Sequence, residues 1–239
     1  MTTAFVTGAT SGIGRAIALE LAAAGHQVYA AGRNQRALND LRASHAAITP
    51  IALDVTDRDS AAEALTGLTI DILVNNAGMM PPLGNFADAA MADIDTALEV
   101  NLSSVIALTR LVVPQMRERE SGHILFTGSA AAHSPFPNMA AYSAAKAGIA
   151  GFAAALRADL SPHGIRVTEI VPGRVETALY ADILDKDTRA AMYSVTKAVQ
   201  PEDVARMVRA VVTLPEWADV TRFDIMTTRP TTPSQQGKK

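Results

Sequence analysis

Thr7-Gly8-Ala9-Thr10-Ser11-Gly12-Ile13-Gly14 stands between an apolar run at residues 4–7 and a helical pattern at residues 13–24. Each glycine has a physical use in such a turn. Gly8 permits a sharp exit from a strand, Gly12 lets a pyrophosphate approach the backbone, and Gly14 lets the helix pack closely on a sheet. The helix N-terminus then offers unpaired N–H groups and a partial positive charge to an anion. Thr10, Ser11 and Ile13 line the same loop and are candidate contacts. Three residues separate the first two glycines, where the dinucleotide fingerprint G-x-G-x-x-G has one.

From this loop onward, strands and helices alternate. Apolar runs predict strands at residues 3–7, 27–31, 48–53, 70–75, 123–127, 166–170 and 223–226. Helical patterns lie between them. Gly25 closes the first helix, Asn34 and Asp57 are candidate N-caps, and a long helix at 91–117 is expected to be irregular near Asn101. Further helices are predicted at 140–161 and 201–214. Strands separated by helices pair in parallel through right-handed crossovers. The expected fold class is therefore α/β: a doubly wound Rossmann fold, a mostly parallel seven-stranded sheet with helices on both faces. We expect one dinucleotide-binding and catalytic domain over residues 1–239, with a lid at about 171–200 and a mobile tail at about 229–239.

The bulk properties exclude several functions. The 239 residues are 49% hydrophobic and 19% charged, with a net charge of −3, so neither nucleic acid nor an anionic membrane is an expected partner. There is no cysteine, which rules out disulfides and thiolate chemistry. No His/Asp/Glu grouping has metal-ligand spacing, so no metal is expected. No uninterrupted run of 18 apolar residues or secretory leader is read, and a cytoplasmic protein is expected.

The end of the second predicted strand reports on the ribose. Where NAD-binding units place an acid, this chain reads Gly32-Arg33-Asn34. A carboxylate would repel a 2′-phosphate, whereas the fork of Arg33 would attract it. The residues thus favour NADP(H), with NAD(H) possible.

Tyr142 and Lys146 lie four residues apart in a predicted helix, on one face. A nearby ammonium is expected to lower the phenol's pKa and suit it to proton transfer. Ser129 ends the strand Phe126-Thr127-Gly128, Asn75-Asn76-Ala77-Gly78 ends another, Val100-Asn101 sits in the long helix, and Pro172-Gly173 precedes Val175 and Thr177. Together with the glycine loop, this set and order resemble the short-chain dehydrogenase/reductase family over about residues 3–226. The resemblance implies a nicotinamide-dependent oxidoreductase acting on a carbonyl or alcohol. It casts Tyr142 as general acid/base and Lys146 as the group that holds the nicotinamide ribose. Ser129 would bond the substrate oxygen, and Asn101 would hold a relay water. Asn76, Ala77 and Gly78 would wall the cofactor, and Asp54 and Val55 would meet the adenine. Pro172, Gly173, Val175 and Thr177 would enclose the nicotinamide. Arg33 matches the NADP-preferring branch, with Asn34 beside it as a further candidate cofactor contact, although Ser11 stands where that branch often has a basic residue.

The substrate is less legible. Candidate pocket segments are 79–83, 133–139 and the lid. Arg174, Leu179 and Tyr180 are candidate substrate contacts, and Arg174 is suited either to clamping an anion or to an ordinary salt bridge. His133 reads as a surface-loop residue. The C-terminal segment Asp224-Ile225-Met226-Thr227-Thr228-Arg229-Pro230 resembles a branch acting on 3-hydroxy acids, serine-type substrates and small aldehydes with NADP(H). The family also implies a homodimer or homotetramer built through the helices that bear Asn101 and Tyr142. Three alternatives stay open: an NAD-preferring dehydrogenase, a nonenzymatic dinucleotide-sensing regulator, and a sugar-nucleotide epimerase. A regulator would be expected to have lost part of the Ser129, Tyr142, Lys146 and Asn101 set, and an epimerase to carry a substantial C-terminal extension.

Overall fold

The computed structural model describes residues 2–181, 183–194 and 198–228. Among the described residues seven strands occur in chain order: β1 (Thr3–Thr7), β2 (Gln27–Gly32), β3 (Ile48–Ala52), β4 (Ile72–Asn75), β5 (Gly122–Thr127), β6 (Ile165–Pro172) and β7 (Arg222–Ile225). They form one sheet in the order β3-β2-β1-β4-β5-β6-β7. All six pairings are parallel. The strand order reverses between β1 and β4, and ligands of such sheets bind at the carboxyl ends of the strands beside that reversal.

Adjacent strand residues point to opposite faces, and the two faces build two cores. Val6, Val74 and Leu125 pack with Ile17 and Leu21 of α1 (Gly12–Ala23) and Val204 and Val208 of α9 (Pro201–Val212). Their neighbours Phe5, Leu73 and Ile124 pack on the other face against α3 (Arg58–Leu65), α5 (Ser104–Glu118) and α7 (Ala140–Leu160). The central strands are consequently apolar on both sides, as a sheet covered by two helix layers demands. Asn34 caps α2 (Gln35–Ser44) by accepting from the Ala37 N–H at 3.1 Å, and Asp57 caps α3 through the Ser60 N–H at 3.0 Å.

The long helix is broken as expected. It runs as α4 (Met91–Leu98), a π turn at Glu99–Ser103 that holds Asn101, and α5. By length and composition Met91–Glu118 is apolar enough to cross a membrane. Its apolar residues Val105, Leu108, Val112 and Met116 are instead buried against the sheet.

The described residues between 171 and 200 hold more regular structure than their sequence suggests. They contain a 3₁₀ turn at Ala178–Tyr180 and a helix, α8 (Lys186–Ser194), and Val175 bridges Val199. α8 escapes sequence reading because Lys186, Asp187, Thr188 and Arg189 open it without an apolar stripe. A one-turn helix, α6 (Ala130–His133), is likewise too short to show periodicity. Residues 195–197 of the expected lid and the expected tail at 229–239 lie outside the described residues.

Phe126 is fully buried, and its ring meets the edge of Phe152 from α7 at 5.6 Å and 72°. Phe126→Ala is expected to cost about 3–5 kcal/mol in urea unfolding. A loss below about 1 kcal/mol would mean that this face repacks around the cavity.

Candidate active site

The turns after β1, β4 and β5 are tied together by one amide. Asn76 Nδ2 donates to the Thr7 carbonyl at 3.1 Å and the Gly8 carbonyl at 3.4 Å, while Asn76 Oδ1 accepts from the Thr127 hydroxyl at 3.2 Å. Thr7 answers from β1: its hydroxyl accepts from the Asn76 and Ala77 N–H groups, both at 3.0 Å. The approach is so close that side chains at the glycines are excluded. A Cβ on Gly14 would lie 2.3 Å from both Asn76 Nδ2 and the Gly8 carbonyl oxygen. Gly8 also has φ +64°, in the left-handed region.

The resulting cradle fits a dinucleotide pyrophosphate. Ser11 makes no side-chain cap, and the first turn of α1 carries no acidic residue, so no side chain of that turn competes for its N–H groups. Thr177 faces the loop from β6's exit: its methyl lies 3.0 Å from where a Cβ on Gly12 would be. Beside Gly12, under α8, a cavity of about 580 Å³ is lined by Arg15, Thr177, Lys186, Arg189 and Tyr193. At the end of β2, Arg33 is largely exposed and pairs loosely with Asp54 at 3.6 Å. Asp54 is held below the ordinary carboxylate range, chiefly by the N–H and then the hydroxyl of Thr56. Val55 packs against the core beneath. Asn34, by contrast, uses its side chain to cap α2.

Across the strand-order reversal, α7 places Tyr142 and Lys146 together, and both are nearly buried. Lys146 Nζ lies 5.8 Å from the Tyr142 ring centroid and donates to the Thr127 carbonyl at 2.8 Å. The π turn brings Asn101 to the same point, since a Cβ on Gly78 would lie 2.8 Å from Asn101 Oδ1 and 3.6 Å from Lys146 Nζ. Asn101 Oδ1 accepts from the Met79 N–H at 3.1 Å, and its Nδ2 donates to the Met79 and Ala97 carbonyls, both at 2.9 Å. π turns of this kind concentrate at functional sites. Ser129 caps α6, accepting from the Ala131 N–H at 3.1 Å, and its hydroxyl favours the ionised form of the Tyr142 phenol.

Burial dominates the electrostatics of these groups. It pushes the Tyr142 phenol up to about 12, with the Ser129 hydroxyl pulling it back and Tyr180 adding to the rise. The lowering expected from Lys146 does not govern this phenol: the cost of desolvating the phenolate sets the direction of its shift, which is upward. Burial also brings Lys146 down to about 8, against an opposing pull from Glu169.

The candidate substrate contacts diverge. Tyr180 packs with Met80, Met139 and Ile183 around Tyr142 and Ala131, whereas Leu179 is exposed at 37%. Arg174 Nη1 donates to the Met192 carbonyl at 3.3 Å and so fastens α8 to the exit of β6, as does Tyr193, whose hydroxyl donates to the Val175 carbonyl at 3.2 Å. Pro172 and Gly173 continue β6, and the Gly173 N–H donates to Ile225 of β7 at 2.9 Å. His133 is not a free loop residue. It ends α6 and contacts the carboxylate of Glu169 on β6 at 2.9 Å. Glu169 was missed by sequence reading because it sits in mid-strand in Ile165–Pro172, next to Thr168 and near Arg166, with no motif around it. Among the described residues, no group of three or more His, Cys, Asp or Glu comes together.

The family model for short chain dehydrogenases matches residues 2–188. An uncharacterized short-chain type dehydrogenase/reductase of Sinorhizobium fredii is 47% identical over 226 residues, covering 94% of this chain and 91% of its own. The NADP-dependent 3-hydroxy acid dehydrogenase of Escherichia coli K12 is 37% identical over 241 residues, covering 97% and 96%. Among solved structures, the closed form of serine dehydrogenase complexed with NADP+ superposes with a TM-score of 0.93 at 33% identity, covering 100% of both chains.

Proposed function

This chain belongs to the short-chain dehydrogenase family, and we propose that it is an NADP(H)-dependent oxidoreductase of small hydroxy acids or aldehydes, with Tyr142 as its general acid/base. The observation that carries this reading is the convergence of Tyr142, Lys146, Ser129 and Asn101 beside the glycine cradle, on opposite sides of one strand-order reversal. NADP(H)-dependent relatives of nearly the same length support the cofactor.

The glycine loop, with Thr10, Ser11 and Ile13, holds the pyrophosphate, and Arg33 reads the 2′-phosphate from the open end of β2. Asn34 lends its N-capped helix start to the same corner. Asp54 and Val55 flank the adenine, and Asn76, Ala77 and Gly78 wall the middle of the cleft. Pro172, Gly173, Val175 and Thr177 close over the nicotinamide, which supplies or accepts the hydride. Ser129 and Tyr142 donate to the substrate oxygen. As carbonyl becomes alcohol, negative charge gathers on that oxygen, and two preorganised donors meet it. Tyr142 then gives up its proton to the oxygen; in the reverse direction it takes one back. Burial keeps the free phenol protonated, the form that carbonyl reduction requires. Lys146 holds the ribose, and Asn101 holds a water through which the proton is replaced.

For the substrate, Arg174 is the cation on the exit of β6, beside the Tyr180 wall, and suits a carboxylate. Leu179 borders the entrance. The residues from 171 to 200 act as a lid, and the chain works as one catalytic domain. Exposed Ile106 and Leu111 on α5 support self-association into a dimer or tetramer.

The test is affinity for NADPH and NADH, followed by NADPH oxidation with a panel of small aldehydes and keto acids. Tight NADPH binding with turnover is expected; tight binding with none across the panel would favour a dinucleotide-sensing role instead. Tyr142→Phe should keep NADPH affinity and lose about two to four orders of magnitude in kcat. Comparable turnover in that variant would end its assignment as acid/base. Arg33→Ala should weaken NADPH by about ten- to a hundredfold and leave NADH nearly unchanged. Equal weakening of both cofactors would show that Arg33 does not read the phosphate. Arg174→Ala should raise KM about tenfold or more for acidic substrates and spare neutral ones. A uniform loss would point to its contact with Met192 rather than to the substrate.

A further inference from the structure

Glu169 is a carboxylate on β6 that is 5% exposed, and it occupies an unusual position. It stands in register with Phe126 of β5, three residues before Ser129. It sits beneath the backbone that leads to Ser129: a Cβ on Gly128 would lie 2.6 Å from Glu169 Oε1. Gly128 therefore keeps open the space into which the carboxylate reaches. A buried carboxylate is costly unless partnered. Glu169 Oε1 meets His133 Nε2 at 2.9 Å, and His133 is the last residue of the one-turn helix that Ser129 caps. The carboxylate thus reaches both ends of α6, one through Gly128 and one through His133.

Glu169 also acts on the other side of the site. Lys146 lies over the Tyr142 ring and donates to the carbonyl of Thr127, the residue before the Gly128 that leaves room for Glu169 Oε1, and the carboxylate's charge favours the ammonium. Lys146 is nearly buried, and desolvation works against its ammonium. A helix of four residues has little stability of its own. Its orientation, and with it the aim of the Ser129 hydroxyl, depends on what anchors its far end.

We propose that Glu169 and His133 form a positioning pair behind the active site, in which the carboxylate anchors the Ser129 turn through His133 and places a negative charge behind Lys146. The pair bears on catalysis through the roles proposed above for Ser129 and Lys146, and rests on them.

The test separates the pair from the reaction. The chain has five lysines, so the 13Cε signals of labelled protein resolve Lys146, assigned by Lys146→Arg. In Glu169→Gln, which keeps the shape, the Lys146 midpoint should fall from near 8 by about one pH unit, because the ammonium loses the charge that favours it. An unchanged midpoint would overturn the electrostatic part. For the anchor, His133→Ala should lower kcat about tenfold while KM for NADPH stays within twofold, and His133→Gln, which can still donate to the carboxylate, should recover most of the loss. These fold-changes are order-of-magnitude expectations for a displaced hydrogen-bond donor. If His133→Ala lowers the thermal midpoint but leaves kcat unchanged, the residue is structural and the anchor is refuted. Should the wild type bind NADPH yet turn over no carbonyl, the oxidoreductase reading fails, and the lysine titration still decides the electrostatic part of the pair.

Discussion

The side-chain amide of Asn76 is the constraint on which this site depends. It bonds the backbone leaving β1 and the hydroxyl ending β5, from its own place at the end of β4. Parallel sheets leave such strand ends as separate loops, each with unpaired backbone groups. Here three of them are drawn into one rigid rim. The glycines of the phosphate loop follow from that closeness, since Gly14 has no room for a methyl group against Asn76 and Gly8. The same rim holds Thr127, whose carbonyl receives Lys146. The half proposed to cradle phosphate and the half proposed to carry the proton chemistry are therefore registered to each other by hydrogen bonds a few ångströms long.

Burial supplies the second theme. Tyr142 and Lys146 lie in a region that excludes water, and that environment opposes charge on both. The phenol stays neutral, and the ammonium holds its proton less firmly than an exposed lysine does. Each becomes sensitive to its few polar neighbours: the Ser129 hydroxyl for the phenol, and the Thr127 carbonyl and Glu169 carboxylate for the lysine. In a low-dielectric site, small displacements of such neighbours change proton affinity more than they would in water. This is why the residues holding Ser129 and Lys146 in place matter as much as those two side chains.

The described residues after β6, proposed above as a lid, are held by different means. Arg174 and Tyr193 tie α8 to the exit of β6 through backbone carbonyls, and Val175 bridges Val199. Apolar contacts add to these ties: Val175 and Val199 join the core under α1 and α9, and Tyr180 and Ile183 pack beside Tyr142.

Much of this was legible in the sequence. The short apolar strand runs, the glycine spacing, the caps at Asn34 and Asp57, and the four-residue step from Tyr142 to Lys146 are local patterns, governed by backbone geometry over a few residues. They determined the alternating α/β order, the cofactor loop and the candidate catalytic face, and even the irregular helix at Asn101. What they could not contain is anything set by contact between distant segments. The Glu169–His133 pair joins residues 36 apart in sequence, and no local pattern marks either partner. The upward shift of Tyr142 depends on how many groups bury it, which chain order does not reveal. α8 has no apolar stripe and is held by Arg174 and Tyr193 across 18 residues, so its place comes from tertiary bonds rather than propensity. Short-range sterics and periodicity wrote the fold into the sequence, whereas dielectric environment and long-range pairing came into being only when the chain closed on itself.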